Sequence, residues 1–151
     1  MTIKNLMTTL LFVGSVSFTA LAQNTTDVTT LLGKPITDPS VSAFITAQKL
    51  DAVTGLSYEN GVQLFNDGQT VYQIYLFNKT TLNGTAVNAY AGVLPFRLTF
   101  KETPATLKTK IGVIPVAKGD HLVWDLKDYR LEVAFTDEKK TDIAYVVLEK
   151  K

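Results

Sequence analysis

Residues 122–135 read Leu-Val-Trp-Asp-Leu-Lys-Asp-Tyr-Arg-Leu-Glu-Val-Ala-Phe, and this stretch decides the fold. Two alternating runs, Leu122 to Leu126 and Tyr129 to Phe135, flank the polar pair Lys127-Asp128. A two-residue turn there sets Leu126 opposite Tyr129, Trp124 opposite Leu131 and Leu122 opposite Val133. Successive strand residues point to opposite sides, so these six and Phe135 share one apolar face. The other face carries Asp125, Arg130, Glu132 and Ala134. A sheet so divided has one side to bury and one side left to solvent or to a partner.

Working outward, Asp142 to Glu149 predicts a third strand, reached by a turn at Asp137 to Lys140. On the other side, Thr103-Pro104 reads as an N-cap and first-turn proline. The helix they open has Leu107 and Ile111 as its inner stripe and Gly112 as its stop. The first half follows the same plan. A helix up to Leu31-Leu32 ends at Gly33, and Asp38-Pro39 opens a second helix with Val41, Phe44, Ile45 and Leu50 inward. Strands follow at Leu56 to Glu59, Val62 to Asn66 and Thr70 to Phe77, separated by Asn60-Gly61 and Asp67-Gly68. Between the halves, Asn83-Gly84 marks a turn, Ala86 to Tyr90 an edge strand, and Leu94 to Phe100 an extended segment. The expectation is an α+β protein of two tandem helix-plus-antiparallel-meander units, about 27–78 and 94–149, with the helices on one face. Phe65-Asn66-Asp67 aligns with Phe135-Thr136-Asp137, and Ile74-Tyr75-Leu76 with Val146-Val147-Leu148. Whether the units share one sheet or form two is left open.

The N-terminus gives an address. Lys4 precedes an apolar run from Leu6 to Phe18, and Ala20-Leu21-Ala22 supplies the small-x-small pattern of signal peptidase sites. Cleavage between Ala22 and Gln23 is expected, leaving 23–151 as one domain. The run is too short and too rich in Thr, Ser and Gly for a span of about 20 apolar residues. Only Lys4 of the 15 basic residues falls in 1–22, which leaves 14 of each sign. A balanced charge gives no electrostatic grip on nucleic acid or anionic lipid. The chain has no cysteine, so an exported form is held by its core alone and carries no lipid anchor. A bacterial periplasmic or secreted location follows.

Chemistry is sparse. His121 is the single histidine, and zinc would need further nitrogen or sulfur ligands. It reads as a loop residue entering a strand. No serine sits in a nucleophile elbow, and the glycines are scattered at turns, with no phosphate loop. Asp125 and Glu132 share a face, as a glycosidase pair would, but Arg130 beside them makes cross-strand ion pairing the plainer reading. No catalytic residue, metal or cofactor is expected. Tyr72 and Tyr75 fall on opposite registers of their strand, so one ring faces away from the helices. Either it belongs to an open protein-binding face, or the 78–92 segment covers it.

The order Leu98-Thr99, a short helix ending Ile111-Gly112, then Trp124, Tyr129, Leu131, Val133, Phe135 and Ile143 in strands resembles exported modules of the SmpA/OmlA-type outer-membrane-assembly lipoproteins. It is also similar to the β-lactamase inhibitor protein family, in which the module stands in tandem. The chain departs from both: Arg97 stands where the lipoproteins have Gly, and the lipid-bearing and paired cysteines are missing. The resemblance implies two helices on an antiparallel sheet and a habit of binding proteins. Modules of this kind also look like immunity proteins. The expected function is therefore a non-enzymatic immunity or inhibitor protein that occludes a partner enzyme or toxin, with Tyr72, Arg130 and Glu132 as contacts. The alternative is an envelope-maintenance factor binding outer-membrane components or a lipidic ligand.

Overall fold

A computed structural model describes residues 25–151; the expected export signal and the expected Ala22–Gln23 cleavage point lie outside the described residues. The chain is mixed α and β, mostly sheet. Among the described residues two α-helices, α1 (Pro39–Ala47) and α2 (Pro104–Ile111), accompany nine strands. These are β1 (Leu56–Ser57), β2 (Val62–Asn66), β3 (Val71–Phe77), β4 (Thr80–Leu82), β5 (Thr85–Val87), β6 (Val116–Lys118), β7 (His121–Asp125), β8 (Tyr129–Phe135) and β9 (Ile143–Lys150). Seven form one antiparallel sheet in the order β1-β2-β3-β9-β8-β7-β6, and β4-β5 is a separate hairpin. The central strand is thus β9, which joins β3 on one side, where Tyr75 pairs with Val147, and β8 on the other.

Both helices begin as their sequences dictate. The Asp38 carboxylate accepts the Ser40 N–H at 2.8 Å, satisfying an amide that has no partner within the helix. Thr103 and Thr106 form a reciprocal capping box at α2, and Gly112 closes that helix at φ 75°. Val41, Phe44, Leu107 and Ile111 then bury against Val62, Leu64, Ile74, Leu76, Val146 and Leu148. The 122–135 hairpin has the pairs expected of it, with Trp124 opposite Leu131 and Leu122 opposite Val133. Its apolar face lies in the same cluster, with Leu126 and Tyr129 at the margin. Trp124 is fully buried, and its indole N–H donates to the Val113 carbonyl at 2.9 Å.

Several expectations are corrected. The first helix is a single 3-10 turn, Val28–Leu31. It cannot extend because the chain then runs along β3: Gly33 N–H donates to the Val71 carbonyl at 2.7 Å and Val71 N–H to the Lys34 carbonyl at 2.9 Å. Leu94 to Phe100 is not extended. A 3-10 turn at Pro95–Arg97 carries both Leu94 and Leu98 into the core. Phe96 and Arg97 take φ of 56° and 53° to make it. The strand expected at Ala86 to Tyr90 is β5, and it pairs with β4 rather than edging the main sheet. The edge strand β6 has no counterpart in the sequence reading. The first strand shortens to Leu56–Ser57 because Ser57 pairs with Val62, leaving a four-residue loop over 58–61.

Candidate binding surface

The face of the sheet away from the helices is built in three rows of paired residues. Across β2, β3, β9, β8 and β7 the first row reads Phe65, Gln73, Glu149, Arg130, Asp125. The second reads Gln63, Tyr75, Val147, Glu132, Val123. The third, from β3 onward, reads Phe77, Tyr145, Ala134, His121 and ends at Lys118 of β6. Alternation alone puts Asp125, Arg130, Glu132 and Ala134 here, as expected.

Tyr72 arrives on this side by a bulge. Phe65 pairs with Gln73, yet the next residue, Asn66, pairs with Val71, so Tyr72 is the extra residue of β3. The irregularity lets Val71 stay buried with Ile74 and Leu76 while Tyr72 remains 39% exposed. Tyr72 and Tyr75 therefore both touch Phe65, with ring centres at 6.3 and 5.7 Å. The expectation that one of the two would face the helices is overturned by that inserted residue. The same pairing places Phe65 opposite in facing to Phe135, which is buried on the helix side, so the Phe65–Phe135 alignment does not hold in space.

The aromatic contacts continue across the strands. Tyr75 lies 5.6 Å from Tyr145, and the His121 ring meets Tyr145 edge-on at 6.1 Å. At one end the β4-β5 hairpin covers part of the strip, where Val87 and Leu82 pack with Leu56, Phe77, Tyr75 and Tyr145. The 78–92 segment thus caps one end and leaves Tyr72, Arg130 and Glu149 uncovered.

Arg130 and the three acids of this face each have a definite partner. Arg130 meets Glu149 at 3.2 Å, and Lys151 meets Asp125 at 2.7 Å. Arg130 thus bridges to β9 instead of linking Asp125 to Glu132. A hydrogen bond from Lys151 holds the Asp125 carboxyl below its ordinary range. Glu132 accepts His121 Nδ1 at 2.6 Å, while Nε2 lies 3.2 Å from Asp120. Burial, and then the charges of Glu132 and Glu149, push the Tyr75 phenol up. The Tyr145 phenol rises through burial, then Glu132, Tyr75 and Asp120.

The two carboxylates weighed as an acid–base pair accordingly serve separate partners, a lysine and a histidine. Sequence reasoning missed the His121–Glu132 contact, although the two-residue turn makes it legible: His121 stands opposite Ala134, one diagonal step from Glu132. Among the described residues no group of three His, Cys, Asp or Glu is arranged to hold a metal ion. A cleft of about 380 Å³ lies beside this face, between the 51–55 loop and β2. Its polar groups are occupied by the loop itself. Asp51 accepts the Val53 and Thr54 amides, and the Gln63 amide donates to the Thr54 carbonyl.

Among the described residues no helix is long and apolar enough to cross a membrane. The chain matches no family model and no curated protein. It is similar in structure to an extracellular protein containing an SCP domain from Bacillus anthracis, with a TM-score of 0.47 and 10% identity over 99% of this chain and 50% of that one.

Proposed function

We propose that this chain is an exported, non-enzymatic protein-binding module that works as an immunity or inhibitor protein, its open sheet face covering a partner enzyme or toxin. One observation carries the reading: the strip of Tyr72, Phe65, Tyr75 and Tyr145 beside the Arg130–Glu149 pair, on a face that no helix among the described residues covers. Aromatic and arginine side chains on a rigid support are the composition that dominates binding energy at protein interfaces. The export part rests on Lys4, the Leu6 to Phe18 run and the Ala20-Leu21-Ala22 motif. Occlusion is the mechanism: the face lies over the partner's cleft, and Tyr72, Arg130 and Glu132 anchor it.

The tandem plan belongs to the same proposal. It is supported by the central pairing, in which Ile74 meets Leu148, Tyr75 meets Val147 and Leu76 meets Val146. Under the alignment of Ile74-Tyr75-Leu76 with Val146-Val147-Leu148, those pairs are related by a local two-fold axis at Tyr75 and Val147.

The test is capture of a partner from the producing organism's secreted enzymes on the immobilised 23–151 chain, followed by assay of the captured enzyme. The reading expects the chain to suppress that activity, and Tyr72→Ser with Arg130→Ala to relieve the suppression. Suppression untouched by the double variant, or capture without suppression, overturns it.

A further inference from the structure

On this face the acids are not equivalent. Asp125 and Glu149 are each neutralised by a cation, Lys151 and Arg130. Glu132 is not: among the described residues no Lys or Arg lies within ion-pair distance of it, and its contact is His121 through Oε1. The second oxygen, Oε2, receives no donor from the described residues. The side chain is 29% exposed, so the carboxylate is reachable from solvent yet set into the sheet surface. Aromatic groups frame it. Tyr75 shares its row, Tyr145 and His121 stand diagonal to it, and both phenols are raised, first by burial and then by its charge. A carboxylate with no Lys or Arg beside it attracts a counter-charge from outside.

We infer that Glu132, framed by Tyr75, Tyr145 and His121, is the seat for a basic side chain, arginine first, presented by the protein partner. The chemistry fits a guanidinium better than an ammonium. A planar cation can pair with a carboxylate along one edge and lie against aromatic rings with its faces, whereas a compact, strongly hydrated ammonium does one at a time. His121 holds Oε1 in place and leaves Oε2 for the incoming N–H groups. Apolar partners would gain from the rings alone but would leave the carboxylate covered and unpaired, which disfavours them. The inference rests on the open face being the partner-binding surface and adds what the partner must present there.

The experiment is a chemical-shift titration of the 23–151 chain with Nα-acetyl-arginine amide at fixed ionic strength, following the rings of Tyr75, Tyr145 and His121. Parallel arms use Nα-acetyl-norleucine amide, tetramethylammonium chloride and sodium chloride. The arginine amide is expected to give saturable shifts at those rings, with affinity falling about fivefold to tenfold in Glu132→Gln. Glu149→Gln, whose acid already has Arg130, should bind as the parent does. Equal response to the norleucine amide, stronger response to tetramethylammonium, or equal loss in Glu149→Gln each overturns the inference. If Tyr72→Ser abolishes partner capture while Glu132→Gln retains it, the cation seat fails and the binding face stands.

Discussion

Two glycines in hairpin loops, Gly61 and Gly68, test how the 78–92 segment is fastened to the sheet. Both have positive φ, 60° and 88°, so alanine at either carries the left-handed penalty of roughly 1–2 kcal/mol. Beyond that they differ. A Cβ at Gly68 meets nothing within 4 Å, whereas at Gly61 it would lie 2.1 Å from the Asn88 carbonyl oxygen and 2.7 Å from the Tyr90 amide. The first of these is more than 1 Å inside ordinary contact at about 3.5 Å, against backbone tied down on both sides. Asn88 N–H donates to the Tyr58 carbonyl at 2.9 Å, and Tyr90 N–H to the Phe77 carbonyl at 2.8 Å. Overpacking of this kind adds about 1–3 kcal/mol. Releasing the segment instead would expose Tyr90, which is 5% exposed. Gly61→Ala should therefore lose about 1–3 kcal/mol more than Gly68→Ala, a gap of roughly 3–12 °C in Tm for a chain of this size. Urea unfolding followed by circular dichroism measures both. Equal losses at the two glycines would refute the close approach of residues 88–90 to the β1-β2 loop.

Trp124→Phe should destabilise by about 1–3 kcal/mol, since it orphans the Val113 carbonyl and opens a void in the buried cluster; circular dichroism melts check it, the chain's single tryptophan being gone. Arg130→Ala should move stability by no more than about 1 kcal/mol, because the ion pair with Glu149 is half-exposed; the same melts decide, and a larger loss would mean that Arg130 has a structural role. Glu102 is buried, and the Lys110 ammonium at 2.5 Å holds its carboxyl below the ordinary value of 4.5. A depressed acid stabilises the folded state above its unfolded pKa and ceases to do so as pH falls through the folded value. Urea midpoints taken from pH ~6 to ~3 should thus fall less steeply in Glu102→Gln than in the parent.

The hairpin at 122–135 was legible residue by residue because a two-residue turn fixes register, and register fixes which face each side chain joins. Helix α2 was legible for a similar reason: Thr103-Pro104 and Gly112 mark its ends in chemistry that works locally. The bulge at Tyr72 was not, since no glycine or proline marks it, and it exists to keep Val71 buried against the core. Nor was β6, whose three residues are all exposed and so show no alternation. The turn at Pro95–Arg97 uses left-handed backbone at Phe96 and Arg97, residue types that give no sign of it. On the open face the charge pattern followed from alternation, but the partners did not. Arg130 turns to Glu149 because β9 lies beside β8, and the seating of β9 against β3 joins residues some 70 positions apart.

That last arrangement has a consequence for biogenesis. A strand translated late occupies the middle of the sheet, so every earlier piece waits for it. Until residues 143–150 arrive, β3 presents a bare hydrogen-bonding edge flanked by Tyr75 and Phe77, and the β6-β7-β8 group has nothing to dock on. A nascent chain therefore passes through a sticky interval that ends in one closing event, and shielding by a chaperone would matter most then.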